Sequence, residues 1–368
     1  DLAEPLAQVP ALPGSWLETA AAGTLVLVDG SLDPRSASRL ELPAGVRVSS
    51  LAEALDSDDA RADTLVGSLA RPKTDPFHAL NTALFADGLL VELDPGVRLD
   101  EPLHMLCVAS GREVLAVPRI CIRLGQGSRA TLVEHSLTLA EGASLSVPLT
   151  EVELGAGSRL GHLRLQDESQ ARGEIASLLA RLEANATLSV GSLSLGAALS
   201  RYQIEIQLAG EGAAAELSGL YLGRGSRTID HHVWIDHAAP RTRSLQQLRG
   251  ILDERSQGVF RGRVHVRPGS QQIDASQSHR TLMLSDDARV HAEPQLEIYA
   301  DDVKCSHGNA VGQLDPDALF YLRSRGLPES QAREVLTEAF AREALDSLPL
   351  PGEGDREALA HRVREWLQ

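Results

Sequence analysis

The sequence predicts a mainly β protein with a parallel β-solenoid core, a mixed or helical region before it and a small helical domain after it. Three observations carry this. Over residues 89–314 the apolar side chains recur with period two: "YQIEIQL" sets Tyr202, Ile204, Ile206 and Leu208 against Gln203, Glu205 and Gln207. "RICIRL", "TEVELGAG", "HLRLQ", "GRVHVRPG" and "PQLEIYA" alternate likewise, the pattern of short strands. One glycine turn recurs nearly verbatim, as "LGQGSR" at 124–129, "LGAGSR" at 154–159 and "LGRGSR" at 222–227, with looser copies at 93–99 and 266–272. Finally, aromatic residues are only 3% of the chain. A β-sandwich can use such turns too, but about twenty short strands with an aliphatic core favour coils that bury their faces by stacking. The unequal spacing of the turn implies coils of unequal length.

The elements follow in order. Residues 1–88 are mixed: "TLVLVDG" is strand-like, and "SLAEALDSDDARADTLVGSLA" predicts a helix. "DPFHALNTALFADG" predicts a short helix capped at Asp75, with Pro76 in its first position, and stopped at Gly88. The strand pattern occupies 89–314. Residues 315–368 predict three helices. Asp315 caps "PDALFYLRSR", which ends at Gly326. "LPESQAREVLTEAFAREALDSL" carries Val335, Leu336, Ala339, Phe340 and Ala344 on one stripe. "LPLPGEG" breaks it, and Asp355 is expected to cap "REALAHRVREWLQ". So short a segment is expected to pack on the solenoid end or on a partner.

With 51 acidic against 35 basic residues, the 368-residue chain carries a net charge of −16. That balance excludes nucleic acid and anionic membrane as expected partners. No run of apolar residues is long enough to span a membrane, and no signal sequence opens the chain. Three scattered cysteines, Cys107, Cys121 and Cys305, make no disulfide framework, so a reducing, cytoplasmic setting is expected. The chain starts at Asp1 without methionine, so part of a natural N-terminus is expected to be missing.

Motifs narrow the chemistry. "GAGSRLG" lacks dinucleotide spacing and runs into a strand, which offers no helix N-terminus to a pyrophosphate. No phosphate-binding Gly-x-x-x-x-Gly-Lys-Ser/Thr occurs. "DHHVWIDH" (230–237) is rich in metal-ligand types, yet a strand divides it: Asp230, His232, Trp234 and Asp236 on one face, His231, Val233, Ile235 and His237 on the other. Cys107 and Cys121 sit among apolar strand residues and are expected to be buried structural thiols. Cys305 and His307, in "ADDVKCSHGN", lie two apart and face the same way. Flanking Lys304 would favour the thiolate, a ligand for soft metal or sulfur. Two ligands are too few for a closed zinc or iron–sulfur site, so further ligands would come from elsewhere.

These residues also carry a family resemblance. "PQLEIYADDVKCSHGNAVGQLDPDALFYLRSRGLPESQAREVLTEAFAREAL" resembles the C-terminal signature of the SufB/SufD family of iron–sulfur cluster assembly proteins, and is closer to the SufD branch. "IDHAAPRTRS", "RGRVHVRPGSQQIDASQSHRTLMLS" and "TDPFHALNTALFADG" fit the same family. The likeness runs over about 74–348, and the first 70 residues match less distinctively, a helical segment usual in the family being shortened or absent. It implies a right-handed parallel β-helix and a non-catalytic scaffold subunit. Such a subunit pairs with a SufB-like chain through the β-helix edge and binds the SufC ATPase through its C-terminal helices. His307 then matches a histidine at the SufB interface and Cys305 its neighbour, with a transient iron–sulfur cluster between the chains and none held tightly by this one. Leu319, Phe320, Leu322, Arg325 and Gly326 are the implied SufC-facing residues. Alone, the chain is expected to form a homodimer through its open edge. Two other classes compete: a β-helical carbohydrate-active enzyme, which would need paired carboxylates and aromatic platforms, and a free-standing metal-binding protein using "DHHVWIDH".

Overall fold

The computed structural model describes residues 24–57, 60–110, 113–138 and 142–367. The chain winds between a front sheet of ten strands and a back sheet of eleven. From Gly88–Leu93 to Val303–Gly312 the long strands fall alternately in the back and front sheets, and each pairs in parallel with the strand one coil earlier. The result is a β-solenoid of about eight turns. Leu124, Leu154, Leu182 and Leu208 stack in one back-sheet column, so each coil repeats the last at the level of single residues.

The recurring turn makes the corners. Gly127 and Gly157 have φ of 69° and 68°, a left-handed conformation that a side chain disfavours. They join back strands to front strands. In the next two coils that corner is taken by Asn185 and Gly212, at φ 57° and 73°, within "LEANAT" and "LAGEGAA", which hide the repeat. The third clear copy, around Gly225, lies at the opposite corner, joining the front strand Ala214–Gly223 to the back strand Thr228–His237. The unequal spacing of the motif therefore mixes two corners and does not measure coil length.

The two ends of the solenoid differ. At the first coil, Val46–Ser50 pairs antiparallel with Gly88–Leu93, and Ser31–Leu32 with Thr24–Val28, which closes the N-terminal end. At the other end the last strands of the two sheets, Arg289–Ile298 and Val303–Gly312, have no strand beyond them.

The predicted helix over "SLAEALDSDDARADTLVGSLA" is instead two short helices, Leu51–Asp56 and Ala60–Leu65. The first ends at Ser57, whose hydroxyl donates to the Ala54 carbonyl at 3.0 Å, a local bond that competes with the helical ladder. Asp75 does cap Pro76–Leu84, accepting from the amides of Phe77 and His78 at 2.8 and 3.0 Å. The segment between is fastened to the back sheet by one buried carboxylate. Glu151 accepts from the amides of Gly67, Leu69 and Ala70 at 2.7, 2.7 and 2.9 Å, and from Arg119 Nε and Nη2 at 3.0 and 2.6 Å. Arg119 Nη1 reaches Asn81 Oδ1 at 2.9 Å, so the clamp also holds the capped helix.

The C-terminal helices do not cover the solenoid's end. Glu329–Leu345 and Glu353–Leu367 lie along the outer face of the front sheet, where Ala341, Ala344, Leu345, Leu359, Val363 and Trp366 pack on Leu163, Leu165, Leu193, Leu220, Leu222 and Ile251. The reason lies in "HLRLQ": its leucines face outward and need cover, while His162, Arg164 and Gln166 face the interior. Asp355 sits inside the first turn of its helix rather than at the cap.

Replacing Glu151 with Ala strands the buried Arg119 charge and three amides at once. It is expected to cost about 3–5 kcal/mol and to expose residues 66–85 to limited proteolysis, measured by denaturant unfolding and mass-resolved cleavage. A second expectation concerns acid. Burial pushes His231 and His237 down to about 4. As pH falls below 6.5 the unfolded chain takes up these protons first, so stability present above that pH drains away down to about 4, by on the order of 3 kcal/mol per histidine. Unfolding midpoints that stay level between pH 7 and pH 4.5 would contradict this.

Candidate functional site at the open coil

The last front strand continues the interior columns of the solenoid to its open end. Cys305 pairs in register with Ala275, His307 with Gln277 and Asn309 with His279. Those three partners are buried and face inward. Cys305, His307 and Asn309 therefore project over the mouth of the solenoid interior, on one face of an unpaired strand, as the i, i+2 spacing requires. His307 and Asn309 are exposed, and Cys305 is half-buried against Val264, Val266, Ile273 and Ala275.

That setting reverses the expectation for the thiol. Burial, and then the carboxylate of Asp274, push the Cys305 pKa up from its ordinary 9.0. Lys304 and Asp274 stand in register on the other face of the sheet, and of the two only the Asp274 carboxylate contributes to the shift. The two remaining thiols are also kept protonated. Burial pushes Cys121 up to about 12 and raises Cys107 strongly. Cys121 is buried under the N-terminal helices, whereas Cys107 faces the interior and is only half-buried.

Behind the open strand runs a hydrogen-bonded chain. His279 Nδ1 lies 2.9 Å from Asn309 Oδ1, and its Nε2 lies 2.8 Å from Tyr221 Oη. Since the amide oxygen only accepts, Nδ1 carries the proton and Nε2 accepts from the tyrosine. The imidazole is stacked between Phe260 and Tyr221, at ring separations of 4.6 and 6.0 Å. Sequence reading missed this set. Its available signal was the run of polar residues, Gln277, His279 and Thr281, at alternate positions of a strand whose inward face should be apolar.

Directly after the open strand, Asp315 caps the helix Pro316–Ser324, accepting from the amide of Asp317 at 2.9 Å. None of that helix is buried. Leu319 and Leu322 are half-buried, while Phe320 and Tyr321 are 72% and 63% exposed, unusual for aromatic side chains. Arg325 is exposed, with no ion pair among the described residues, and Gly326 turns the chain at φ 97°. The helix thus forms an arm beside the bare strand edge, presenting aromatic side chains to solvent.

The other candidates resolve differently. In "DHHVWIDH", His232 Nε2 lies 3.0 Å from the Asp230 carboxylate and its Nδ1 accepts from Arg201 at 3.0 Å, while Asp236 holds Arg267 and His265. His231 and His237 face the interior, the latter bonded to Thr242 and Ser244. Among the described residues no three His, Cys, Asp or Glu side chains converge as a metal site. A groove of about 420 Å³ crosses the outer face of the back sheet around Trp234. Its carboxylates are engaged, Asp75 with Gln203, Glu205 with Arg71 and Glu293 with Arg261, and guanidinium groups of Arg71 and Arg263 stand over the Trp234 ring at 5.1 and 5.3 Å.

The described residues thus form a solenoid with one closed and one bare end, with Cys305 and His307 on the last strand of the bare end and a solvent-exposed aromatic arm beside it. Residues 107–340 match the family model for the SUF system FeS cluster assembly SufBD core domain, and residues 17–105 that for the SufBD protein N-terminal region. The chain belongs to the SufBD family of iron–sulfur cluster assembly proteins. It is 30% identical over 355 residues to an iron–sulfur cluster assembly SufBD family protein of Synechocystis, covering 93% of this chain and 78% of that one. It is 31% identical over 276 residues to the iron–sulfur cluster assembly protein SufD of Escherichia coli, and 25% over 283 residues to SufD of Bacillus subtilis. Those alignments cover 74% of this chain in each case, and 65% and 63% of the two relatives. The N-terminal match extends the likeness well beyond the 74–348 read from sequence. No helix among the described residues is long and apolar enough to cross a membrane.

The raised pKa of Cys305 has a kinetic signature. Iodoacetamide is expected to label Cys305 slowly at pH 7, the rate still rising past pH 9, and Asp274→Asn should accelerate it at neutral pH. Rapid labelling at pH 7 that is insensitive to residue 274 would show that the thiol is not desolvated in this way.

Proposed function

We propose that the chain is a non-catalytic scaffold subunit of a cytoplasmic SUF iron–sulfur cluster assembly complex. Its last coil pairs with a SufB-like chain, and its arm engages a SufC-like ATPase. The observation that carries this reading is the position of Cys305 and His307: two ligand types, on one face, at the only long strand edges the described residues leave unpaired. A parallel edge of ten residues is a ready template for another strand, and a second chain seated there would bring further ligands within reach of the same pair. The nascent cluster is then cargo held between chains, His307 being its exposed contact and Cys305 a protonated neighbour. In the absence of a partner, two copies pair through the same edge.

For the arm, Phe320 and Arg325 are the anchors, because aromatic and arginine side chains dominate buried contacts at interfaces. Leu319 and Leu322 are half-buried and support the arm, and Gly326 sets the turn that aims it. The absence of a phosphate-binding loop from the sequence fits an ATPase activity residing in a partner.

The test is co-purification with SufB and SufC homologues from the same organism. Wild type is expected to form a three-chain complex. His307→Ala should assemble it but accumulate less iron–sulfur cluster, read by absorbance and by iron and sulfide content. Phe320→Ala and Arg325→Ala should each weaken SufC binding about tenfold or more. A wild-type chain that binds neither homologue would overturn the proposal.

A further inference from the structure

The solenoid interior is aliphatic through most coils, but one sector of it is polar. Glu134, His162, Arg164, Glu174, Tyr202 and His231 all face inward there, each 2% exposed or less. Arg164 pairs with Glu174 through Nη2 and lies 3.4 Å from Glu134 through Nε. Its guanidinium stands 4.9 Å from the centre of the Tyr202 ring. The Tyr202 ring is 6.5 Å from that of His231, which is 5.4 Å from Tyr221.

Several polar atoms in this sector have no hydrogen-bond partner: Arg164 Nη1, His162 Nδ1, Tyr202 Oη and both ring nitrogens of His231. One such buried atom costs free energy comparable to a lost hydrogen bond. Five of them in one buried sector are not tolerable in a dry interior, and native proteins satisfy such groups with ordered solvent or an ion. Beyond Tyr221, toward the open coil, the polar interior is also built: at Gly250 a Cβ would fall 2.1 Å from the Tyr221 ring, and at Gly262 it would fall 2.0 Å from Gln277 Nε2. Glycines on these strands make way for polar side chains.

Charge selects the occupant. Arg164 is balanced, and outnumbered, by Glu134 and Glu174, so a second anion gains nothing there. Toward Tyr202 and His231 the groups are a hydroxyl and an imidazole, which together need a molecule that both donates and accepts. We propose that the space between Arg164, His162, Tyr202 and His231 is an internal hydration site, in which ordered water completes the hydrogen bonds of the buried ion cluster. The site continues through Tyr221 and His279 to Asn309, and so gives the open coil a polar floor. It stands independently of the partner assignments above.

The test uses Tyr202→Phe in the full chain, with Tyr221→Phe as calibration. The Tyr221 hydroxyl is already paired, so its loss lowers stability whether or not the interior is wet. If water bonds Tyr202 Oη, Tyr202→Phe should also lower the folded-to-unfolded ratio, by roughly two- to tenfold, and His231→Leu should do the same. A ratio that rises or stays level in Tyr202→Phe means that an orphan hydroxyl was removed from a dry core, and overturns the proposal. A high-resolution crystal structure supplies the second readout. Solvent density within about 2.7–3.2 Å of Tyr202 Oη and a His231 nitrogen is expected. Closed packing there, or an anomalous bromide peak at Arg164 after a bromide soak, would overturn it.

Discussion

A solenoid holds its strands by stacking coil on coil, so each backbone ladder must end somewhere, and how it ends governs the rest of this molecule. Within the stack the strands pair residue for residue with those of the neighbouring coils. At the N-terminal end the chain spends two short antiparallel strands and a set of helices to close the ladder. At the C-terminal end it spends nothing. Arg289–Ile298 and Val303–Gly312 are each ten residues long, and Pro294 in the first lacks an amide proton for further pairing. Proteins usually blunt such edges. Here the bare edge bears the one Cys-x-His pair and leads directly into the exposed arm, so the molecule's open valence and its candidate ligands coincide.

The same stacking explains why the C-terminal helices lie where they do. A front strand starts with apolar residues facing inward, as Leu160 and Leu188 do, and ends with apolar residues facing outward, as Leu163, Leu165 and Leu193 do. The outward set forms a continuous stripe across coils, since register is preserved from strand to strand. Such a stripe must be covered, and the long helix and the final helix cover it. With the sheet face occupied, the end of the solenoid stays uncovered, and the arm helix packs against the helix that follows it, Glu329–Leu345, instead of on the sheet.

Much of this was legible in the sequence, and the parts that were not share one cause. Alternation identified the strands and turn chemistry identified the corners, because both are local. The division of "DHHVWIDH" between two faces followed from parity alone, and so did the common face of Cys305 and His307. Parity does not say which face is the interior. In "HLRLQ" alternation alone leaves the buried face open, and only its place in the stack shows Arg164 inward and Leu163 outward. The thiol of Cys305 was misjudged for the same reason: Lys304 is adjacent in sequence but lies across the strand, while Asp274 and the Val264 cluster come from earlier coils. The repeat was blurred where Asn185 and Gly212 replaced the recognisable glycine turn.

These facts bear on why the ligand pair sits on a strand and not on a loop. Neighbouring columns are fixed by backbone hydrogen bonds from coil to coil, and Asn309 is further tied through His279 to Tyr221, three front strands deeper. Residues two apart on such a strand keep a constant separation and direction, whereas a loop would have to order itself on each encounter at an entropic cost. A site completed by a second chain gains most from a half that is already in place. The edge is held from behind and open in front, and burial keeps the reactivity of Cys305 low.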